Sequence, residues 1–482
     1  MINFRIIARV FSLLLILEAL FMLASAGVSV IYKEPAAASL LYSGLITIVT
    51  GIIVFTPLRN EEKMYGNREG YIIVTGIWLL FSIFGTLPFI FSGSVKSFTD
   101  AFFESMSGFS TTGATIISDI EALPKGILFW RSLTQWMGGI GIIFISLSIL
   151  PVVKTINVQI SISEFSGQAT DKIHPRIKDS AIRLITIYAI ITLAEALLLL
   201  FGGMSVFDAI CHSFSTISTG GFSTRNGGIS MFSSPYIKVV ITIFMFIAGT
   251  NLTIFYFGLK RNFKKIFENN EFLFYSVICF IFIVIAASIL NSKPGISIGK
   301  AILDSSFHIV SIMTTTGYYT ENYNLWGNLL LLIFFFLMFT GGTSGSSSGN
   351  IKIVRLLIVA KTSRQEMKRM IHPNAFIPVR LDHKIVPQST VYNILVFIFL
   401  YFMIICISTF INSLMGYDII TSFSTSVAML GNIGPGLGTF GPFADYSTVP
   451  AAGKWFFSVL MLLGRLELIT VLILFTRNFY RK

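Results

Sequence analysis

Long apolar runs broken by short polar stretches recur along the whole chain. Ten of them reach membrane length, at roughly 11–32, 36–57, 71–93, 127–151, 182–202, 236–258, 272–291, 324–341, 391–413 and 454–476. A helix of about 20 apolar residues crosses a bilayer core about 30 Å thick, so the pattern predicts a multi-pass, all-α integral membrane protein. The run from Phe11 to Tyr32 is long and lacks a short h-region followed by an A-x-A-like cleavage site, which reads as a mature span rather than a signal peptide.

The spans group as two, then four pairs. Between the members of each pair lies a stretch too short and polar to span, yet too apolar for an ordinary loop. The four read DAFFESMSGFSTTGAT from Asp100, DAICHSFSTISTGGFST from Asp208, DSSFHIVSIMTTTGYYT from Asp304 and DIITSFSTSVAMLGNIGPG from Asp418. Asp100 to Gly113, Asp208 to Gly221 and Asp304 to Gly317 are each 13 residues, and Asp418 to Gly434 is 16. A unit recurring between successive helix pairs predicts four equivalent repeats around one axis. Asp is a strong N-cap, so a short helix is expected to start at Asp100, Asp208, Asp304 and Asp418 and to run inward for about ten residues. Its negative C-terminal end then favours a cation. The chain returns through Thr/Ser/Gly backbone, which membrane depth tolerates only where protein shields it or a wet cavity adjoins it. Four such returns predict a central pore lined by carbonyl oxygens, with two extra transmembrane helices before the first repeat.

Composition agrees with this reading. Of 482 residues 54% are hydrophobic and 12% charged, against about 25% charged in soluble domains. The net charge of +12 could suggest nucleic acid, but its distribution points elsewhere. With loops alternating from a cytoplasmic N terminus, about 25 basic residues fall on one side and about 9 on the other, the positive-inside bias. Both termini then face the cytoplasm, and no nucleic-acid partner is expected. Trp130, Trp326 and Trp455 read as interface anchors. Glu104, His212 and His308 share one repeat position and read as groups that pack the short helices by hydrogen bonds.

The motifs FSTTGAT (Phe109 to Thr115), FSTISTGGFST (Phe214 to Thr224), TTTGYYT (Thr314 to Thr320), GNIGPGLG (Gly431 to Gly438) and RLE (Arg465 to Glu467) resemble those of the potassium-translocating Trk/Ktr/HKT superfamily. The two extra N-terminal helices make the chain more similar to the longer TrkH branch than to the shorter KtrB branch. The resemblance implies a potassium ion, transported and bound in a filter formed by Thr111, Thr112 and Gly113; Thr219, Gly220 and Gly221; Thr315, Thr316 and Gly317; and Asn432, Ile433 and Gly434. The spans, repeats and charge pattern give the organisation 1–57 (two N-terminal helices), 71–151, 182–258 and 272–350 (three repeats, the third ending in the run Gly341 to Asn350), 351–390 (a basic cytoplasmic linker) and 391–482 (the fourth repeat).

The run GGTSGSSSGN, Gly341 to Asn350, breaks a helix. Gly/Ser composition alone favours a linker; the resemblance makes it an intramembrane gating loop with Gly341, Gly342, Gly345 and Gly349, and places Arg465 below the filter as part of the gate. A charge inside a span costs at least about 2.5 kcal/mol unless it finds water or a partner. Lys352 to Lys384 carries eight basic residues against two acidic ones, which suits anionic lipid or a docked regulator. The resemblance implies a TrkA-like cytoplasmic nucleotide-binding subunit and a homodimer in the cytoplasmic (inner) membrane; no Rossmann or Walker motif is present for this chain to bind nucleotide itself. The alternatives within transport are a less selective pathway or one coupled to sodium or protons. An intramembrane hydrolase using Ser347, within the G-x-S-x-G of Gly345 to Gly349, lacks the strand that a nucleophile elbow needs, and no enzyme is expected.

Overall fold

The computed structural model describes residues 2–60, 66–148, 173–375, 377–382 and 384–481. Residues 61–65 of the Arg59 to Arg68 loop, the end of the fourth expected span at 149–151 and most of the basic segment from Lys154 to Arg183 lie outside the described residues. Among the described residues, regular structure is helical apart from the bridge Thr340 to Ile351 and a hairpin in the basic linker, Arg380–Leu381 antiparallel to Lys384–Ile385. That hairpin is a small departure from the all-α expectation.

Among the described residues, six helices are long and apolar enough to cross a membrane: Phe4–Ile31, Ala36–Leu58, Arg68–Phe91, Ala181–Phe201, Asn270–Asn291 and Gln388–Leu414. They expose Leu13, Leu17, Val49, Ile53, Val277, Phe280, Phe399 and Phe410, apolar side chains that lipid accepts. Lys125–Ser148 is a further helix of 24 residues. Glu34, in the turn between the first two helices, accepts the backbone N–H groups of Lys125 (2.8 Å) and Gly126 (3.1 Å) and so satisfies orphan donors at the start of that helix.

Three expected spans are broken. Pro235–Ala248 and Leu252–Gly258 meet at 104°, and Ala451–Arg465 and Leu468–Phe475 at 115°. The first break has a local cause: Asn251 is extended (φ −61°, ψ 122°) and its side chain accepts from Thr253 N to start a new helix. At the second, Glu467 holds φ at +62°, outside helical backbone. The expected span 324–341 shrinks to Asn328–Leu337, ten residues, too short to cross alone.

Four short helices sit inside this frame: Phe98–Phe109, Val206–Ile217, Ile298–Met313 and Ile419–Leu430. Only Asp418 caps its helix, accepting from Thr421 N at 3.2 Å. The other three Asp expectations are corrected. Ser97, Ser205 and Ser297 hold the extended cap position, Asp100 and Asp208 lie in the first turn, and Asp304 lies well inside its helix. Ser ranks with Asp as an N-cap and stands earlier in each sequence; Ser205 and Ser297 accept from Asp208 N and Lys300 N, while Ser97 holds the position without a side-chain cap bond. Asp100 instead pairs with Lys454 across the bundle at 2.7 Å, and Asp208 with Arg225 at 2.9 Å. Asp418→Ala is expected to cost about 1 kcal/mol of stability, read as a lowered midpoint in thermal denaturation of the detergent-solubilised protein.

Trp130 is fully buried and donates to Gly85 O at 3.2 Å, so it is a packing residue and not an interface anchor. Trp455 is 40% exposed and donates to Thr99 Oγ1.

Candidate ion pathway

Each short helix ends in the same way. The second residue after it takes a left-handed conformation, with φ of +52° at Thr111, +55° at Thr219, +58° at Thr315 and +55° at Asn432. The next residue sends its N–H back to a carbonyl five positions earlier: Thr112 to Ser107, Gly220 to Ser215, Thr316 to Ser311 and Ile433 to Ala428, at 2.8–2.9 Å. This is the Schellman arrangement, whose left-handed position is usually Gly or Asn. Thr there is strained, and such strain collects at functional sites. The residue after that is Gly113, Gly221, Gly317 or Gly434, with φ between +77° and +91°. Measured from the helix end, the fourth segment is thus in register with the others. Its longer spacing from Asp418 arises because that Asp is a cap and the others are not.

The four glycines close a circle. A Cβ on Gly113 would overlap the carbonyl oxygen of Gly220, one on Gly221 that of Thr316, one on Gly317 that of Ile433, and one on Gly434 would crowd that of Thr112. Each glycine therefore lies against the carbonyl of the next segment, and the last meets the first. Alternating left- and right-handed residues can turn successive carbonyls the same way, the arrangement that replaces an ion's water shell. All twelve sequence-expected filter residues lie in these four turns.

Behind each turn one side chain from the short helix holds the returning strand. Glu104 accepts from Thr115 Oγ1 (3.0 Å) and Ile116 N (3.0 Å); His212 bonds Ser223 Oγ (3.0 Å); His308 accepts from Thr320 N (3.3 Å); Ser424 accepts from Leu437 N (3.0 Å). These groups hydrogen-bond as the sequence suggests, and the strand they hold is the return that follows each short helix. Glu104 also pairs with buried Arg131, Nε to Oε1 2.6 Å.

The run from Gly341 to Asn350 is folded tightly below the turns. Gly349 N donates to Thr315 Oγ1 (2.8 Å) and Thr343 N to Gly249 O (2.9 Å). A Cβ on Gly349 would press on Gly431 O, one on Gly342 on Gly249 O and one on Gly341 on Gly349 O, while Gly345 needs φ of +76°. The four expected glycines are thus required by close approach or by conformation, unlike those of a flexible linker. Arg465, 4% exposed, donates to Ser347 O (2.6 Å) and to Gly138 O (3.0 Å). Lys352 holds the neighbouring carbonyls, donating to Ser346 O (3.3 Å) and Ser348 O. Glu271 accepts from Ser344 N (2.6 Å) and Val354 N (3.2 Å). Glu467, at the helix break, pairs with Arg355 at 2.7 Å.

Sequence reasoning missed Arg131, Gln135, Glu271 and Lys352 as parts of this site. Arg131 and Gln135 carried a usable signal: two polar groups four apart occupy one helix face, inside an otherwise apolar span, where such residues are costly and functional.

Buried, strained backbone arranged in a circle within a frame of apolar helices defines an integral membrane transport protein. The family model for TrkH, described as a cation transport protein, matches residues 43–480, and the chain belongs to that family. It is 36% identical over 484 residues to the Trk system potassium uptake protein TrkH of Escherichia coli K12, covering all of both chains. It is 30% identical to the Trk system potassium uptake protein TrkG of the same organism, over 99% of each chain. The crystal structure of the potassium transporter TrkH from Vibrio parahaemolyticus superposes with a TM-score of 0.89 at 34% identity, covering 100% of both chains. The protein is a transporter and not an enzyme.

Proposed function

We propose that this protein takes up potassium across the cytoplasmic membrane through a filter of backbone carbonyls at the centre of four helix, pore-loop, helix repeats. The observation that carries the reading is the closed circle in which each of Gly113, Gly221, Gly317 and Gly434 abuts the carbonyl of the next loop. Thr112, Gly220, Thr316 and Ile433 supply that ring, and potassium binds there in place of its water. The names of the relatives, potassium uptake proteins, support the choice of ion. The membrane potential drives entry, at about 2.3 kcal/mol per charge per 100 mV.

Below the filter, the loop from Gly341 to Asn350 and Arg465 form the gate. The basic linker, with both termini, faces the cytoplasm and receives a TrkA-like nucleotide-binding subunit, and two copies associate as a homodimer with one pore each. Cation flux into liposomes holding the purified protein tests the central claim. Potassium and rubidium are expected to enter with sodium excluded, and Gly113→Ser is expected to admit sodium, because a hydroxymethyl group displaces the carbonyl of Gly220. Equal flux of all cations by the wild type would overturn the selectivity reading.

A further inference from the structure

The four-membered carbonyl ring is not chemically uniform. At the position just before the filter glycine, three loops carry a side chain, Thr112, Thr316 and Ile433, and the second carries none, Gly220. The space is filled from outside. A Cβ on Gly220 would lie 2.5 Å from Oε1 and 2.7 Å from Nε2 of Gln135, on helix Lys125–Ser148. The Gln135 amide is fully buried. Its Nε2 donates to Gly220 O at 2.6 Å and its Oε1 accepts from Phe222 N at 3.1 Å. One turn earlier on the same face, Arg131 donates to Ser223 O (2.9 Å) and lies 3.6 Å over the Phe222 ring. The second loop is thus bonded to this helix at Gly220, Phe222 and Ser223, on both sides of Gly221. Among the described residues, no side-chain donor reaches Thr112 O, Thr316 O or Ile433 O.

We infer that Gln135 is a specificity-determining residue of the filter, acting through the Gly220 carbonyl. The inference rests on the proposed carbonyl filter and adds the group that fixes its second quarter. Glycine is the most mobile residue, and an unanchored carbonyl there could swing inward. A ring able to contract in this way can coordinate sodium, smaller than potassium, as well. The amide holds the oxygen back from outside the pathway while leaving it a lone pair for the ion. It does not touch the ion, so Gln135 is a positioning residue.

Two variants separate its donor from its bulk. Gln135→Glu keeps size and the acceptor for Phe222 N and, as the carboxylate, loses the donor, so it is read at a pH high enough to ionise it; Gln135→Met keeps length and loses both bonds. In proteoliposomes each is expected to retain potassium flux while the potassium-to-sodium flux ratio falls roughly tenfold, on the scale of one buried hydrogen bond. A second readout does not depend on an open gate: the rise in melting temperature produced by potassium over sodium in detergent should shrink in both. Gln135→Ala combined with Gly220→Thr, which gives the second loop the Thr of the first and third, should return the ratio to within about twofold of wild type, since those loops need no outside donor. Wild-type flux without potassium selectivity would overturn the filter itself. A selective wild type with unchanged ratio and unchanged potassium stabilisation in both variants would overturn the role of Gln135 alone. Failure of every variant to fold would assign the residue to structure only and overturn it equally.

Discussion

Gly317→Ala is expected to abolish selective potassium uptake, lowering flux by at least about 100-fold. Two costs act together. The backbone at Gly317 holds φ of +77°, where an L side chain costs about 1–2 kcal/mol. The new Cβ also overlaps Ile433 O and sits 2.9 Å from Pro435 Cδ, and overpacking of this kind costs about 1–3 kcal/mol. Neither neighbour is a flexible side-chain end, so the fourth loop must shift, and its carbonyl with it. Liposome flux of potassium and sodium measures the outcome. Retained selectivity with a correctly folded protein would contradict the ring. The same substitution at Gly27, where a Cβ meets nothing within 4 Å, should leave flux unchanged.

Arg465→Ala carries the second large effect, in the opposite direction: a rise in basal cation flux. The guanidinium is buried and ties Ser347 O of the loop to Gly138 O of helix Lys125–Ser148. Removing it takes away a positive charge and a crosslink at once. At an effective dielectric of about 20, like unit charges about 4 Å apart repel by about 4 kcal/mol, and even half of that is worth more than tenfold in rate, so the leak should rise by at least about tenfold if the barrier is electrostatic. Arg465→Lys divides the two roles. It keeps the charge but cannot make the same paired contacts, so a low leak with faster activation would assign the barrier to charge. A leak as large as that of Arg465→Ala would assign it to the crosslink. Unchanged basal flux and activation in both would remove Arg465 from the gate.

Much of the architecture is readable from hydropathy. The outer spans were legible because lipid accepts apolar residues all round a helix, and the four inner segments because they repeat. The Asp anchors were misread at three of four places for a physical reason: Ser97, Ser205 and Ser297 stand upstream and take the cap position first. The common feature was at the other end, where helix terminus to glycine is the same distance in each. The breaks fall at short polar interruptions, Gly249 to Asn251 and Arg465 to Glu467, that a window of membrane length averages away, because the helices on either side are apolar enough to pass together as one span. Gln135 escaped notice because its importance depends on a glycine 85 residues away, and only the folded chain brings a side chain on one segment into the space missing from another.

One chain, rather than four identical copies, supplies the circle of glycines. A pore of identical subunits changes at all four quarters whenever one codon changes, so intermediate forms are hard to reach. Here each quarter can change alone, and three carry a residue with a side chain before the glycine while one does not. Ion preference in such a molecule can be adjusted in steps of a quarter, with the other three quarters holding the passage in shape while one is altered.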